Sequence, residues 1–188
     1  MRKYMVFLTL IASILYFTAC SSGTSPDELA GSIPPTETEQ PFNLDAYKES
    51  VGQFRTHVMD NSLLLYNVGK YEINYLDALK SISGNSTSND TSDKGFNWLK
   101  ENADADRDSV DANHQKIREE YAALILVEVS GKEAELLYSY VANMYEGYSS
   151  LYDCVTSNSL SAAQLTSKIN GAIDLINGAD SDISLFLD

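Results

Sequence analysis

The sequence predicts an all-α fold, an antiparallel four-helix bundle over residues 42–188 whose first and second helices are long. Apolar residues recur three or four positions apart over most of this range, which is the spacing of one face of a helix. Helix-start signals precede several of these runs. No segment of the range alternates apolar and polar residues as a half-buried strand does.

The first predicted helix begins at Leu44, directly after Asn43, a good N-cap residue. Phe42 and Tyr47 occupy the two positions of a hydrophobic staple around this cap. The apolar seam continues to Ile82, which predicts one helix of about 39 residues. Ten of the twelve seam positions are apolar or aromatic: Leu44, Tyr47, Val51, Phe54, Val58, Asn61, Leu65, Val68, Glu72, Tyr75, Leu79 and Ile82.

The second predicted helix runs from Phe96 to Val129 and follows a polar loop over residues 83–95. A seven-residue repeat supports it, carried by Phe96, Ala103, Val110, Ile117 and Leu124. The companion positions in the middle of this helix are polar, whereas residues 121–129 are nearly all apolar. We therefore expect residues 121–129 to be the most buried stretch of the domain.

The third predicted helix covers residues 133–156. It follows Ser130-Gly131, which marks either a turn or a kink in one longer helix. Ser130 and Glu133 have the spacing of a capping box, which favours the turn.

The fourth predicted helix has the clearest start. Ser161 and Gln164 form a second capping box, directly before a run of apolar residues with helical spacing. Asn177-Gly178 is a candidate end for this helix. The apolar spacing continues to Leu187, so a longer helix is the alternative.

The N-terminal segment has the three parts of a secretory signal. Arg2 and Lys3 form a basic tip, an uncharged run covers residues 4–17, and Phe17-Thr18-Ala19-Cys20 closes the segment. This layout resembles a bacterial lipoprotein signal peptide that ends in a lipobox. The resemblance implies cleavage after residue 19, a lipid on the sulfur of Cys20, and residence on a membrane. An uncleaved membrane anchor is the alternative, although the uncharged run is short for a spanning helix.

The chain is therefore predicted to have three parts: a lipoprotein signal peptide (1–19), the lipidated Cys20 with a flexible tether (20–41), and the helical domain (42–188). Removing residues 1–19 takes away Arg2 and Lys3 but no acid, so the net charge changes from −14 to −16. Such an acidic surface repels the phosphates of nucleic acids, which are not expected as partners. With Cys20 modified, Cys154 has no cysteine partner in the chain and is expected to be a buried, unreactive thiol.

Motifs for metal binding and catalysis are weak. Residues 104–108 are rich in aspartate, but the sixth and twelfth positions of an EF-hand loop are not Gly and Glu. His57 and His114 are predicted to lie too far apart for a shared metal, and an ion pair between His57 and Glu120 is the favoured interpretation. No nucleophile elbow or phosphate-binding glycine loop is present. We predict no metal, no cofactor and no enzymatic activity.

A pair of acidic residues is predicted between the first two helices. If Ile82 lies opposite Gly95 across the hairpin, Glu72 is nearly level with Asp106. Two carboxylates close together in an apolar seam resist the ionisation of both, so at least one of their pKa values should be raised.

The tyrosines suggest a function. Tyr138, Tyr145 and Tyr152 recur every seven residues on the third predicted helix. Tyrosine suits both the edge of a bundle core and a surface that binds a partner. We predict a non-enzymatic surface lipoprotein on the cell membrane or outer membrane, outside the cytoplasm, that binds another envelope or surface protein or an envelope component. The alternative is a small-ligand or metal-binding bundle, which a cavity containing His57, Glu72 and Asp106 would favour.

Overall fold

The computed structural model describes residues 42–84 and 87–187. These residues form five helices and no strand: α1 (Leu44–Ser83), α2 (Thr91–Ala103), α3 (Arg107–Ile125), α4 (Lys132–Thr156) and α5 (Ala162–Leu187). The predicted all-α class is confirmed. Within the described ranges, no helix has the length and the apolar character needed to cross a membrane.

Helix α1 forms as predicted from its local signals. Asn43 Oδ1 accepts a hydrogen bond from the backbone N–H of Ala46 at 3.1 Å. The Phe42 and Tyr47 rings lie 5.8 Å apart, as the staple predicts. The helix spans 40 residues and ends at Gly84, whose φ of 73° is the left-handed conformation that glycine adopts without strain.

The prediction of one long second helix is wrong, because the chain forms α2 and α3 with a break between them. Asp104 has a φ of 50°, which ends α2. Asp106 then caps α3: its side chain accepts from the backbone N–H of Ser109 at 3.0 Å, and its own N–H donates to Ser109 Oγ at 2.9 Å. The aspartate-rich segment is therefore a helix boundary.

Helix α2 begins inside the segment that was predicted to be a polar loop. Thr91 and Ser92 are buried, which requires hydrogen-bond partners for their polar atoms. The backbone N–H of Ser92 donates to Asn158 Oδ1 at 2.8 Å, and the Ser92 hydroxyl accepts from Arg107 Nη2 at 2.5 Å. Polar partners from other segments thus allow a stretch without apolar residues to be buried.

The predicted contact of Gly95 with Ile82 is also wrong. A Cβ atom on Gly95 would lie 2.7 Å from Val68 Cγ1 and 2.9 Å from Glu72 Oε1. The backbone of α2 therefore approaches α1 so closely at this position that only glycine fits. The prediction assumed a straight second helix, and the break after Ala103 places α2 further toward the middle of α1.

Residues 121–129 are not the most buried stretch. Leu124 is buried, but α3 ends at Ile125, and Leu126 is 81% exposed. The chain then turns, and Gly131, with a φ of 97°, precedes α4. Ser130-Gly131 is thus a turn between two helices, and the predicted Ser130 cap is wrong, because Gly131 occupies the N-cap position.

Helix α5 starts with the predicted capping box. Ser161 N–H donates to Gln164 Oε1 at 3.0 Å, and Gln164 N–H donates to Ser161 Oγ at 3.4 Å. The helix continues past Asn177-Gly178 to Leu187. Helices α4 and α5 share the most extensive contact, and α1 packs against each of the other four helices.

Candidate functional site

The predicted site residues lie partly within the described chain. Cys20, the predicted lipidation site, lies outside the described residues. Tyr138, Tyr145 and Tyr152 lie on one flank of α4, and each is half-buried. We refer to these three residues as the tyrosine face.

Two rings of the tyrosine face stack on side chains of α3. The Tyr145 ring lies 3.9 Å from that of Tyr121, with 9° between the planes. The Tyr152 ring lies 3.7 Å from that of His114, with 8° between the planes. Stacking at these distances fixes the orientation of both tyrosine rings.

The hydroxyl of Tyr152 is a hydrogen-bond donor. It donates to Asp111 Oδ1 at 2.8 Å. Burial, together with the bond to this carboxylate, raises the pKa of Tyr152 to about 12. The phenol therefore stays protonated at neutral pH and does not act as a base.

Tyr138, near the start of α4, is held less firmly. Among the described residues its side chain makes no hydrogen bond and no ring stack, and it is not packed against the main core. Its hydroxyl lies close enough to Tyr47 and Tyr121 to add to the rise in their pKa values, which comes mainly from burial. Tyr138 is thus the member of the tyrosine face with the fewest internal contacts.

A buried polar network lies beneath the tyrosine face. Asn61 of α1 is 1% exposed, and its Nδ2 donates to Tyr148 Oη at 2.8 Å. The same amide nitrogen lies 3.4 Å from the backbone oxygen of Val110. Asn113 Nδ2 donates to Asn61 Oδ1 at 3.4 Å. The amide of Asn61 therefore joins α1, α3 and α4 within the core.

His114 extends this network toward the surface. Its Nδ1 lies 3.2 Å from Tyr148 Oη. Because Asn61 already donates to this oxygen, the Tyr148 hydrogen is available for Nδ1, which accepts only when it is unprotonated. Burial lowers the pKa of His114, and the charge of Arg118 adds to this effect. Both observations favour a neutral imidazole.

His57 contacts Glu120 as predicted, with 2.8 Å between His57 Nδ1 and Glu120 Oε2. Lys116 Nζ lies 2.9 Å from His57 Nε2. An ammonium group only donates, so Nε2 accepts and Nδ1 carries the hydrogen that is donated to Glu120. In this arrangement the contact is a hydrogen bond from His57 Nδ1–H to the carboxylate of Glu120.

Glu72 is fully buried, but its predicted pairing with Asp106 is wrong. Neither carboxylate oxygen of Glu72 has a hydrogen-bond partner within the described residues. Burial raises the pKa of Glu72 to about 8, and the nearby charge of Arg107 opposes the rise. Asp106 instead has a lowered pKa, because its carboxylate accepts the Ser109 backbone N–H. The register of a straight hairpin produced the error.

Arg107 connects α3 to α2 beside this buried acid. Its Nη2 lies 3.1 Å from Asp93 Oδ1, in addition to the bond to Ser92. Its guanidinium carbon lies 4.4 Å from the centre of the Phe96 ring, within range of a cation–π contact. Arg107 therefore holds the two helices together across the break.

The residues that would have favoured a metal or ligand cavity do not meet. Glu72 is buried against α2, His57 contacts Glu120, and Asp106 caps α3. No group of three or more His, Cys, Asp or Glu side chains in residues 42–84 and 87–187 could hold a metal ion. Cys154 is buried as predicted, and burial raises the pKa of its thiol to about 11.

The tyrosine face thus lies over the hydrogen-bonded network formed by Asn61, Tyr148 and His114. The network residue that sequence reasoning missed as a partner is Tyr148. Its spacing of four residues from Met144 and three from Leu151 places it on the apolar side of the third predicted helix, but the contact with Asn61 required the three-dimensional register. Comparisons with known protein families, with characterised proteins and with solved structures found no match for this chain.

Proposed function

We propose that this chain is a membrane-anchored surface lipoprotein whose helical domain binds another envelope or surface protein, or an envelope component, without catalysis. The tyrosine face is the observation that carries the proposal. Tyr145 and Tyr152 are held by stacking on α3, and Tyr138 beside them has few internal contacts. Ordered aromatic rings supply contact area at a low entropic cost.

The protonation state of the tyrosine hydroxyls favours recognition over catalysis. The pKa values of Tyr121 and Tyr152 are raised, mainly by burial. At neutral pH these hydroxyls therefore act as neutral hydrogen-bond donors and acceptors. That is the role of tyrosine in binding surfaces, whereas a general base needs a pKa near the working pH.

We also propose that the helices form an antiparallel bundle of four segments in which α2 and α3 together make the second segment. As residue numbers rise along α1, the residue numbers of its contacts fall in α3 and α5 and rise in α4. The supporting contacts are His57–Glu120 and Asn61–Asn113 (α1–α3), Arg55–Asp180 and Gly69–Ile169 (α1–α5), and Lys48–Glu133 and Asn61–Tyr148 (α1–α4). Segments joined by short turns pack in this way.

The anchor is proposed from the lipobox resemblance at Phe17-Thr18-Ala19-Cys20. A lipid on Cys20 would place the domain on the outer side of the cell membrane or on the outer membrane. The acidic charge of the chain supports a lipid, and not a basic protein surface, as the attachment to the bilayer.

Site-specific photocross-linking in intact cells tests the proposal. A photoreactive residue at Tyr138 should yield a defined cross-linked product, because this position has few internal contacts. The matched control places the same residue at Asn143, which is exposed on α4 but outside the tyrosine face. Cys20→Ala should abolish lipid attachment, detected by mass spectrometry, and with it the cross-link.

Three results would contradict the proposal: equal products from both positions, no product from Tyr138, or an unmodified Cys20 in the membrane fraction. Tyr138→Ser serves as a stability control. It should change the free energy of unfolding by no more than about 0.5 kcal/mol, as a surface substitution does. A larger loss would assign Tyr138 to the core.

A further inference from the structure

An open groove of about 440 Å³ lies between α1 and α5. These helices differ from α3 and α4, which form the tyrosine face and its stacking partners. The apolar part of the lining includes Met59, Leu63, Tyr66 and Ile173, and the polar part includes Ser62 and Asp174. A volume of this size is typical of small-molecule sites.

Ser62 is the unusual residue in this groove. It is 4% exposed, and its hydroxyl has no hydrogen-bond partner among the described residues. The four other serine and threonine side chains of α1 each donate to the carbonyl four residues earlier; they are Ser50, Thr56, Ser81 and Ser83. The Ser62 hydroxyl does not use this local acceptor. A buried hydroxyl without a partner is costly, so a ligand that supplied a donor to it from the groove would be favoured.

The apolar side chains that line the groove are unusually exposed to solvent. Leu63 is 62% exposed, although it lies in the middle of α1. Met59, Tyr66 and Ile173 are only half-buried. These four side chains offer a ligand an apolar surface that is open in the free protein.

The charge of the groove is negative. Asp174 is its only charged lining residue, and in the described part of the chain it forms no ion pair. Lys70 is not a lining residue, although its Nζ lies 5.7 Å from the centre of the Tyr66 ring, so among the described residues Asp174 supplies the charge within the groove itself. An anion is disfavoured here and a cation is favoured.

We propose that this groove binds a small amphipathic ammonium compound, with its apolar body on Met59, Leu63 and Ile173 and its ammonium group at the Asp174 end. The Ser62 oxygen and the Asp174 carboxylate are both acceptors, and an ammonium group carries three donors and no acceptor. This binding goes beyond the proposed function and does not depend on it, because it uses other helices and no anchor.

An NMR titration of the full-length chain tests the proposal with n-hexylammonium, n-hexanol and hexanoate, which share one apolar body. The backbone amide signals of Ser62, Tyr66, Ile173 and Asp174 should shift on addition of n-hexylammonium. At moderate salt n-hexylammonium should bind about two- to fivefold more tightly than n-hexanol, the range expected for one accessible ion pair, and hexanoate should bind more weakly than both.

Variants sharpen this test. Asp174→Asn should reduce the affinity for n-hexylammonium to that for n-hexanol while the hexanol shifts remain. Asp182→Asn is the matched control, because it removes the same charge from α5 outside the groove, and it should leave the preference unchanged. Ser62→Ala should weaken n-hexylammonium binding while the spectrum of the remaining residues stays that of the folded chain.

Four outcomes would overturn the proposal. These are shifts located elsewhere, equal binding of hexanoate and n-hexylammonium, an equal loss of preference in Asp182→Asn, and unchanged binding in Ser62→Ala. A concentration-dependent dimer in sedimentation that Leu63→Ser dissociates would also overturn it, because a second copy would then cover the groove.

Discussion

Two buried polar residues on the same face of α1 have opposite environments. Asn61 and Glu72 lie about three helical turns apart, and both interrupt the apolar seam. The amide of Asn61 is bonded to Tyr148 and Asn113, whereas the carboxylate of Glu72 has no hydrogen-bond partner within the described residues. The same kind of interruption therefore stabilises the bundle at one level and destabilises it at another.

The difference comes from what the neighbouring helices present. At Asn61, α3 and α4 contribute a carbonyl, an amide and a phenol. At Glu72, α2 contributes the bare backbone of Gly95, which approaches too closely for a side chain at that position. Satisfied polar groups specify how helices align, while an unsatisfied one makes stability depend on its protonation.

The largest expected effect is that of Glu72→Gln. The unfolded carboxyl loses its proton near its ordinary pKa of 4.5, but the folded one keeps it up to about pH 8. Between these values the unfolded state binds fewer protons, so stability falls as pH rises. Glu72→Gln should therefore raise the free energy of unfolding at pH 7 relative to its effect at pH 4 by about 3 kcal/mol.

Urea unfolding of both chains at pH 4 and pH 7 measures this difference. Glu146→Gln makes the same chemical change at an exposed position of α4 and should show no difference between the two pH values. Destabilisation by Glu72→Gln at pH 7 would mean that a cation contacts the carboxylate in solution.

The second-largest effect is expected from Asn61, whose side-chain amide is hydrogen-bonded. Asn61→Leu leaves the Tyr148 hydroxyl without its amide donor inside the core, which should cost about 2 kcal/mol. Adding Tyr148→Phe should recover part of it in a double-mutant cycle, since the two polar groups are then removed together. Strict additivity of the two substitutions would show that the bond contributes nothing.

The smallest effect should come from His114, whose pH dependence has the opposite sign to that of Glu72. Its pKa is lowered in the folded state, so the unfolded histidine takes up a proton first as pH falls through about 6.5. Stability is lost in that direction. His114→Gln should flatten this acid-side loss in thermal unfolding between pH 5 and pH 7. An unchanged slope would show that another group is responsible.

The parts of the fold that the sequence predicted correctly depend on neighbouring residues. The caps of α1 and α5 involve residues three positions apart, and the seam of α1 repeats within one helix. The break between α2 and α3 also has a local sequence signal, because Asp106 and Ser109 have the spacing of a capping pair. It was missed because a seven-residue repeat passes across it.

The pairing between helices could not be predicted in the same way. One break changes which residues of α1 lie opposite α2, so Glu72 meets Gly95 and not Asp106. The contact of His57 with Glu120 was correct because it lies beyond the break, on α3. The spacing of the tyrosines predicted a common flank, but their stacking partners on α3 depend on this register.

The close approach of Gly95 to Glu72 should also affect how fast the protein responds to a change in pH. The carboxyl group is fully buried where α2 packs closely on α1, so we expect its proton to exchange with solvent when that helix moves away from α1. A jump from low to high pH should then produce a delay set by the opening rate of α2, not by the rate of proton transfer. Local unfolding of α2 would then be the slow step in the response of the whole bundle to a rise in pH.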